Sequence, residues 1–428
     1  MTETMPIVHK NNGKVKLEKC GGEKTAALHN LGCKVNAYET EALRELLIAD
    51  GYRIVPFTET ADVYIVNTCT VTNIADKKSR QMLRRARKLN PSAQIVAVGC
   101  YVDTAKNDLV ESGICDIAIG NEDKNNLIGM LHRPAMHTRA FLKVQDGCEM
   151  YCAYCLIPYA RGKSRSRSRK EILEEITELA ENGFQEFVLT GIHLSSYGKD
   201  TGDTLLSLIE AVDGIPGVKR IRLGSLEPRI ITEEFCRGLA ALRNFCPHFH
   251  LSLQSGCEAT LKRMNRHYTP EEYRQCCGLL RSYFPHPALT TDVIVGFPGE
   301  TEEEFAETLS FLRELSLYEI HVFPYSKRSG TRAAKMDGQV AEVVKKERSA
   351  ILLELTAAQA KTFREYYLGR EEEILLEEIE LHDGERYFTG YTKEYVKLAV
   401  AAEGTEANTF VRGIVGRELL ILQDVSTD

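Results

Sequence analysis

Three cysteines, Cys148, Cys152 and Cys155, stand at C-x3-C-x2-C spacing within Asp146-Gly147-Cys148-Glu149-Met150-Tyr151-Cys152-Ala153-Tyr154-Cys155-Leu156-Ile157-Pro158. One short loop can aim all three thiolates at a single centre. A [4Fe–4S] cluster has four irons and is normally held by four cysteines, so a loop offering three leaves one iron open to another ligand. The same logic separates closed structural zinc sites from open catalytic ones. A zinc loop wanting its fourth ligand is the alternative. The extra cysteine at minus four and the aromatic Tyr154 before the last cysteine favour the cluster.

A second trio is spread along the chain. Apolar runs over Lys24–Gly32, Ala61–Asn67 and Ala93–Gly99 are followed by Cys33, by Thr68-Cys69 and by Cys100. Helical stretches, Tyr38–Asp50 and Ile74–Leu89, lie between them, a pattern that predicts βαβ units and a parallel sheet. All three cysteines then follow the carboxyl ends of parallel strands, the edge where open α/β sheets bind ligands. That placement expects Cys33, Cys69 and Cys100 to converge on a second cluster with one open iron. Three buried cysteines, each a small hydrophobe, are the bland alternative.

The elements that must position these residues follow in order. Residues 1–23 read as a flexible lead without periodicity, and 24–137 as the cysteine-bearing α/β domain. A loop holding His132, Pro134 and His137 leads to a strand, Arg139–Gln145, which feeds the Cys148 loop. Further strands are expected at Glu186–Thr190, Arg220–Ser225, His248–Leu253, Leu289–Gly296 and Glu319–Pro324. Helices at Lys170–Asn182, Thr204–Val212, Thr232–Leu242, Pro270–Tyr283 and Glu302–Leu315 alternate with them. Six such strands make a partial (β/α)8 barrel over 138–366, with its active face at the strands' carboxyl ends. A charged helix over Gln339–Tyr367 leads to a final domain, 367–428. Its short strands, Glu372–Glu378, Arg386–Tyr391, Val396–Ala401, Phe410–Val415 and Glu418–Gln423, suggest a small antiparallel barrel of oligonucleotide-binding type.

At 428 residues the chain is expected to form two or three domains. No stretch approaches the ~20 apolar residues that cross a bilayer. Met1–Glu23 has no apolar core of a signal peptide, so the expected location is cytoplasmic. Thirteen cysteines in such a protein point to metal or thiolate chemistry rather than disulfides. The net charge of −7 counts against a generally sticky nucleic-acid binder but leaves room for local basic patches.

C-x3-C-x2-C with an aromatic before the last cysteine is the radical S-adenosylmethionine (SAM) signature. With the second trio and the terminal β module, the chain after residue 24 resembles the methylthiotransferases, which end in an RNA-binding TRAM domain. The supporting stretches are Leu31-Gly32-Cys33-Lys34-Val35-Asn36, Asn67-Thr68-Cys69-Thr70-Val71-Thr72-Asn73, Ile157-Pro158-Tyr159-Ala160-Arg161-Gly162, Thr190-Gly191-Ile192-His193-Leu194 and Leu261-Lys262-Arg263-Met264-Asn265-Arg266. Two features depart from the family pattern: the filler Glu149-Met150-Tyr151 is not the commonest, and the leading segment is longer than usual.

The resemblance implies two [4Fe–4S] clusters and two SAM molecules per turnover. The cluster on Cys148, Cys152 and Cys155 would reduce SAM to methionine and a 5′-deoxyadenosyl radical, which takes the hydrogen from C2 of adenosine 37 beside the anticodon. The cluster on Cys33, Cys69 and Cys100 would present the sulfur that a second SAM methylates. The implied target is N6-threonylcarbamoyladenosine 37 in the anticodon stem-loop of tRNA. Isopentenyladenosine 37 or a ribosomal-protein aspartate are other targets of the same chemistry, and a non-catalytic Fe–S RNA-binding protein is a rival of another class. An electron donor such as flavodoxin or ferredoxin and a sulfur donor are implied as partners; membrane and DNA are not. An aromatic C–H is beyond any side-chain base at neutral pH, so a cofactor must carry that step.

Within this framework Tyr154, Thr190, Gly191, Glu227, Gln254 and Arg266 are candidate SAM contacts, each also explicable by packing or turn geometry. Arg161, Lys163, Arg165, Arg167 and Arg169, followed by Lys170, alternate with Ser and Gly beside Tyr151, Tyr154 and Tyr159. They are the candidate RNA track. A second basic run, Lys77, Lys78, Arg80, Arg84, Arg85, Arg87 and Lys88, is as well explained as a solvated helix face. Gly296-Phe297-Pro298-Gly299-Glu300-Thr301 lacks the Lys-Ser/Thr of a phosphate loop and reads as a strand-to-helix turn capped by Thr301. His193 and His250 read as satisfied core residues, and the remaining cysteines, including Cys276 and Cys277, as core fillers.

Overall fold

The computed structural model describes residues 8–11, 14–17, 24–128, 138–382, 384–402, 404–416 and 422–426. The expected loop with His132, Pro134 and His137 lies outside them. The chain divides into two compact units: Met1–Ala135 with Asp146–Ser164 and Ser326–Ala334, and Met136–Gln145 with Arg165–Tyr325 and Lys335–Asp428. The Cys148 loop belongs with the amino-terminal unit, and the carboxyl-terminal strands belong with the barrel.

In the first unit β1 (Val8–Asn11) and β2 (Lys14–Leu17) pair antiparallel, so the lead is not structureless over these residues. Alternating residues around Asn12-Gly13 carried that hairpin signal. Then come β3 (Thr25–Asn30), β4 (Arg53–Ile54), β5 (Val63–Thr68), β6 (Gln94–Gly99) and β7 (Ile117–Ile119), a parallel sheet of order β4-β3-β5-β6-β7. Strand β5 is buried along its whole length. Ala27, Tyr64, Val66 and Ile95 pack on one face, and Ala26, Val63, Ile65 and Val96 on the other. A sheet covered on both faces needs continuous apolar strands, which is why these runs were legible. The short edge strands β4 and β7 and the helices Cys100–Glu111 and Asn121–Ile128 were not anticipated.

The second unit carries β8 (Arg139–Asp146), β9 (Arg165–Ser166), β10 (Glu186–Gly191), β11 (Arg220–Leu223), β12 (His248–His250), β13 (Ala288–Val295) and β14 (Glu319–Pro324). They form two arcs, β11-β10-β8-β9 and β12-β13-β14, joined by single parallel bridges Ile221–Phe245 and Leu226–Leu251. This is the expected partial barrel. Ala140, Leu142, Phe187, Leu189, Ile221, Phe249 and Val293 pack outward into the helices as one core. The alternate residues of each strand therefore face the concave side. The Gly296–Thr301 turn behaves as expected: Thr301 caps helix Glu302–Leu315 in a full capping box.

Helix Glu342–Glu365 leads to β15 (Glu371–His382), β16 (Glu385–Tyr391), β17 (Lys397–Ala401), β18 (Phe410–Val415) and β19 (Leu422–Ser426). They form an antiparallel sheet of order β17-β16-β15-β18-β19; of the last expected strand, Glu418–Gln423, residues 418–421 lie outside the described ones, and Leu422 and Gln423 belong to β19. This sheet closes the amino ends of the barrel strands. Glu186, buried at the start of β10, receives Arg222 Nε at 2.6 Å, with Arg139 and Arg220 at 3.6 and 3.7 Å. The guanidinium groups of Arg220 and Arg222 then donate to the carbonyls of Tyr391, Glu373, Lys393 and Thr392 at 2.6–2.8 Å. Arg139 and Arg222 lie over the Tyr395 ring. Burial works against the Glu186 charge, yet Arg222 and Arg139 hold its carboxyl below the usual range.

Candidate functional site: two cysteine trios and a barrel rim

Strands β3, β5 and β6 are neighbours, and their parallel register sets Asn30 beside Asn67 and Thr68 beside Gly99. Cys33, Cys69 and Cys100 leave these ends together. Cys33 caps helix Lys34–Ala49 and Cys100 opens helix Cys100–Glu111, where helix dipoles favour thiolate. Cys69 and Cys100 are buried and Cys33 keeps exposed surface. Burial pushes the Cys69 thiol up to about 11, and the sulfurs of Cys100 and Cys33 push the same way. Thiols close enough to raise one another's pKa repel as thiolates, and a cationic iron–sulfur core relieves that repulsion. The donor set, three soft sulfurs, fits such a cluster. Gly99 turns the chain into its helix at φ +96°, and a Cβ there would lie 2.5 Å from Asn67 Oδ1 and 2.7 Å from the Thr68 carbonyl.

Behind this trio lies a buried polar network that the sequence reading missed. Arg161 Nε donates to Cys100 Sγ at 3.1 Å. Its terminal nitrogens reach Glu39 Oε1 and Asp146 Oδ1 at 3.1 and 3.0 Å, and Asn36 Oδ1 at 2.8 Å. Lys124 Nζ sits 2.5 Å from Glu39 Oε2. Asn36 and Asn67 amides donate to backbone carbonyls of Leu31, Thr68 and Asn36 itself at 2.8–3.0 Å. The side chains of Glu39, Lys124 and Arg161 have no exposure. One sign was available: Glu39 shares the helix face of Val35, Ala42 and Leu43, a charge inside an apolar stripe.

The second trio is held by its own loop. Cys148 N–H donates to the Gly162 carbonyl at 3.1 Å, Cys155 N–H to Cys152 O at 3.0 Å, and Ala333 N–H to Ala153 O at 2.8 Å. Ile157 N–H approaches Cys155 Sγ at 3.4 Å. Gly147, at φ +74°, leaves no room for a side chain: a Cβ would stand 1.9 Å from the Lys163 carbonyl oxygen. Tyr151 holds the left-handed conformation at φ 48° and is exposed, with its ring 5.8 Å from that of exposed Tyr159 at an edge-on angle. Tyr154 in the same loop is half-buried.

In the second unit the carboxyl ends of the strands gather the other SAM candidates. Thr190 is buried at the end of β10, and Gly191 packs on Gln145, whose Oε1 accepts the His193 N–H at 2.7 Å. Glu227 follows β11 and holds Ser195 Oγ through its backbone N–H at 2.8 Å. His193, Ser195, Lys199, Glu227 and Arg229 line a cleft of about 400 Å³. Two buried polar atoms of this cleft, Glu227 Oε1 and His193 Nε2, have no partner among the described residues. Such groups suit a polar ligand. Burial, then the charges of Lys199 and Arg266, push His193 down to about 4, so it is neutral at pH 7. It lines the cleft rather than filling the core. Gln254, at φ 71°, is tied through its backbone to β13, and Arg266 Nε donates to the Tyr268 hydroxyl at 3.0 Å.

His250, expected as core, is half-buried on the concave face and joins Asp292 at 3.3 Å. The expected RNA track divides. Lys163 and Arg165 are exposed. Arg161 is buried, Arg167 is half-buried against Glu175, and Arg169, its side chain 40% exposed, lies 3.7 Å from Asp203. On helix Asn73–Leu89, Lys77, Lys78, Arg84, Arg85 and Lys88 are exposed, while Arg87 pairs with Asp116. The other cysteines among the described residues are all buried, as fillers should be.

Comparison with known proteins gives this geometry its context. Residues 142–312 match the radical SAM superfamily, and residues 25–120 match a family described as uncharacterized protein family UPF0004. The chain is 42% identical over 412 residues to the threonylcarbamoyladenosine tRNA methylthiotransferase MtaB of Bacillus subtilis, covering 89% of this chain and 91% of that protein. It is 38% identical to the protein of the same name from Aquifex aeolicus, covering 81% and 91%. It is 34% identical to a tRNA-2-methylthio-N(6)-dimethylallyladenosine synthase of Acetivibrio thermocellus, covering 88% and 85%. Among solved structures, the radical S-adenosylmethionine methyltransferase TsrM of Kitasatospora setae shares the fold, with a TM-score of 0.54 at 16% identity over 70% of this chain and 73% of that one. The chain belongs to the radical-SAM tRNA methylthiotransferase family, whose chemistry uses SAM and [4Fe–4S] clusters.

Proposed function

We propose that this protein places a methylthio group on C2 of N6-threonylcarbamoyladenosine 37 of tRNA. The observation that carries the reading is the presence, in one compact unit, of a C-x3-C-x2-C loop and a second cysteine trio at three adjacent strand ends. Relatives bearing the threonylcarbamoyladenosine name match at up to 42% identity, which favours that nucleoside over the dimethylallyl one.

In this reading Cys148, Cys152 and Cys155 hold the SAM-binding cluster, and Cys33, Cys69 and Cys100 hold the auxiliary one. When bound, the two clusters and SAM supply the electron, the hydrogen-abstracting radical and the methylated sulfur. The chain's own groups position and desolvate. Gly147 and the Gly162 carbonyl shape the cysteine loop. Thr190, Gly191, Glu227 and neutral His193 offer a polar rim for SAM, and Gln254 and Arg266 add polar groups at the ends of β12 and after it. Exposed Tyr151 and Tyr159 give π faces on which unstacked bases can lie, and Lys163 and Arg165 meet phosphates. The terminal antiparallel sheet is the TRAM module. An electron donor and a sulfur donor complete the cycle, and the cytoplasm, where tRNA is modified, is the location. No helix among the described residues is long and apolar enough to cross a membrane.

The test is mass spectrometry of nucleosides from tRNA incubated with the reconstituted, reduced protein and SAM. The expected product is 2-methylthio-N6-threonylcarbamoyladenosine, lost in Cys33→Ala and in Cys148→Ala. Formation of 5′-deoxyadenosine without that nucleoside would keep the radical chemistry and overturn the substrate.

A further inference from the structure

The sequence placed Arg161 on an RNA track, and the structure takes it off one. Its guanidinium, with no exposed surface, has every nitrogen engaged: Nε with Cys100 Sγ, one terminal nitrogen with Glu39 and Asp146, the other with Asn36 and Glu39. An arginine buried this way is costly unless fully paired. The two cations here, Arg161 and Lys124, face two carboxylates, Glu39 and Asp146. The Asp103 carboxylate also lies near both cations, so what Cys100 meets is not a surplus of charge but the one N–H that Arg161 aims at its sulfur. A four-iron core held by three thiolates carries about one net negative charge, and reduction or a bound sulfide adds more.

Chain position gives the contact its meaning. Arg161 ends the short helix Ile157–Arg161 that directly follows Cys155, and Asp146 precedes the loop that starts at Cys148. One guanidinium therefore grips both flanks of the Cys148–Cys155 loop and a cysteine of the other trio. A planar fork of five N–H donors can hold these directions at once, which a lysine ammonium on a flexible stem cannot.

We propose that Arg161 is a positioning residue of the auxiliary cluster: its Nε–H···S bond to Cys100 offsets the cluster's negative charge and keys the SAM-cluster loop to it. Hydrogen bonds to ligand sulfurs and nearby positive charge raise the reduction potential of an iron–sulfur cluster. Arg161 thus makes the auxiliary cluster easier to reduce and better able to hold an anionic sulfur at its open iron. The proposal rests on the assignment of Cys33, Cys69 and Cys100 as cluster ligands.

The test uses the full chain with Cys148, Cys152 and Cys155 replaced by alanine, so that one cluster remains. Iron content and an EPR-monitored potentiometric titration are read with Arg161 intact, as Arg161→Lys and as Arg161→Gln. Four irons are expected with Arg161 intact. The midpoint should then fall in Arg161→Lys, which keeps a charge but not the fork, and fall further in Arg161→Gln. If the glutamine variant loses its iron, the lysine variant decides; loss of iron in both, with four irons kept when Arg161 is intact, would make Arg161 a residue of cluster assembly and overturn its role in setting the potential. A midpoint unchanged in Arg161→Lys, and in Arg161→Gln where that variant keeps its iron, overturns the proposal. Absence of iron with Arg161 intact overturns the ligand assignment instead, and the proposal with it.

Discussion

Cys148, Cys152 and Cys155 fall within one loop, whereas Cys33, Cys69 and Cys100 come from three strands that meet only after the sheet has formed. The loop trio is shaped mostly by nearby backbone: a left-handed Gly147, a left-handed Tyr151 and hydrogen bonds within the loop and to Gly162, with one from the distant Ala333. The strand-end trio is shaped by tertiary structure. It needs the β3-β5-β6 register and a buried set of Asn36, Glu39, Asn67, Lys124 and Arg161 behind it. A ligand set written into one loop needs only that loop's flanks to be anchored, here by Arg161–Asp146 and by Ala333 N–H on the Ala153 carbonyl; one distributed over a sheet depends on every element that sets the register.

The largest effect that would separate the two trios comes from the cysteines themselves. Cys148→Ala should abolish SAM cleavage, measured as 5′-deoxyadenosine. Cys33→Ala should leave cleavage within about tenfold of normal, or roughly 1.4 kcal/mol in barrier, while methylthiolated nucleoside disappears. Equal loss of cleavage in both would erase the division of labour.

Next in size are the glycines. Gly147→Ala and Gly99→Ala each force a Cβ against backbone oxygen in a left-handed conformation, at a cost of roughly 2–4 kcal/mol. Cluster stoichiometry should show the contrast: Gly147→Ala loses iron from the loop site, and Gly99→Ala from the strand-end site. Iron lost evenly from both sites by either variant would mean that the two are not built independently.

Glu39→Gln removes the carboxylate shared by Arg161 and Lys124 and should cost about 3–5 kcal/mol in urea unfolding. A conservative change in the loop, such as Glu149→Gln, should cost under about 0.5 kcal/mol. Comparable losses would contradict the view that the buried network, rather than the exposed filler of the loop, carries the stability of this region.

The smallest effect concerns RNA. Lys163→Ala and Arg165→Ala should each weaken tRNA binding about uniformly across sequences and reduce the salt slope by about 1. Lys170→Ala should do less, since its side chain, although exposed, lies near Glu174 at 3.8 Å on a helix. Equal slopes for all three would place the phosphate contacts elsewhere.

Much of the fold was readable because its central strands, such as β5, β6 and β10, are buried almost throughout and read as continuous apolar runs. The parallel strands β3, β5 and β6 and the barrel strands β8, β10, β13 and β14 fall within a residue or two of expectation, as do most of their helices; the first, Lys34–Ala49, starts four residues before the expected Tyr38. The short elements were not readable. Strands β4 and β7 span two and three residues, too few to show a period, and exist because β3 and β6 offer them open edges. The carboxylates beside Arg161, Arg167 and Arg169 were not readable, because alternation of Arg with Ser looks the same whether a carboxylate waits beside it or not.

By itself the sequence determined the chemistry on offer, since ligand type and spacing within a loop are local properties and burial leaves a periodic trace. Which distant groups would meet was decided only by tertiary structure. Glu39, Lys124, Asp146 and Arg161 are separated by up to 122 residues, and their pairing is set by sheet register and by the exclusion of water around Cys100. The same holds at the barrel's amino end, where Arg139, Glu186, Arg220 and Arg222 look like ordinary strand charges until the terminal sheet covers them. Charges are cheap in water and must be matched once buried, so their partners can be named only when the fold shows which of them are buried together.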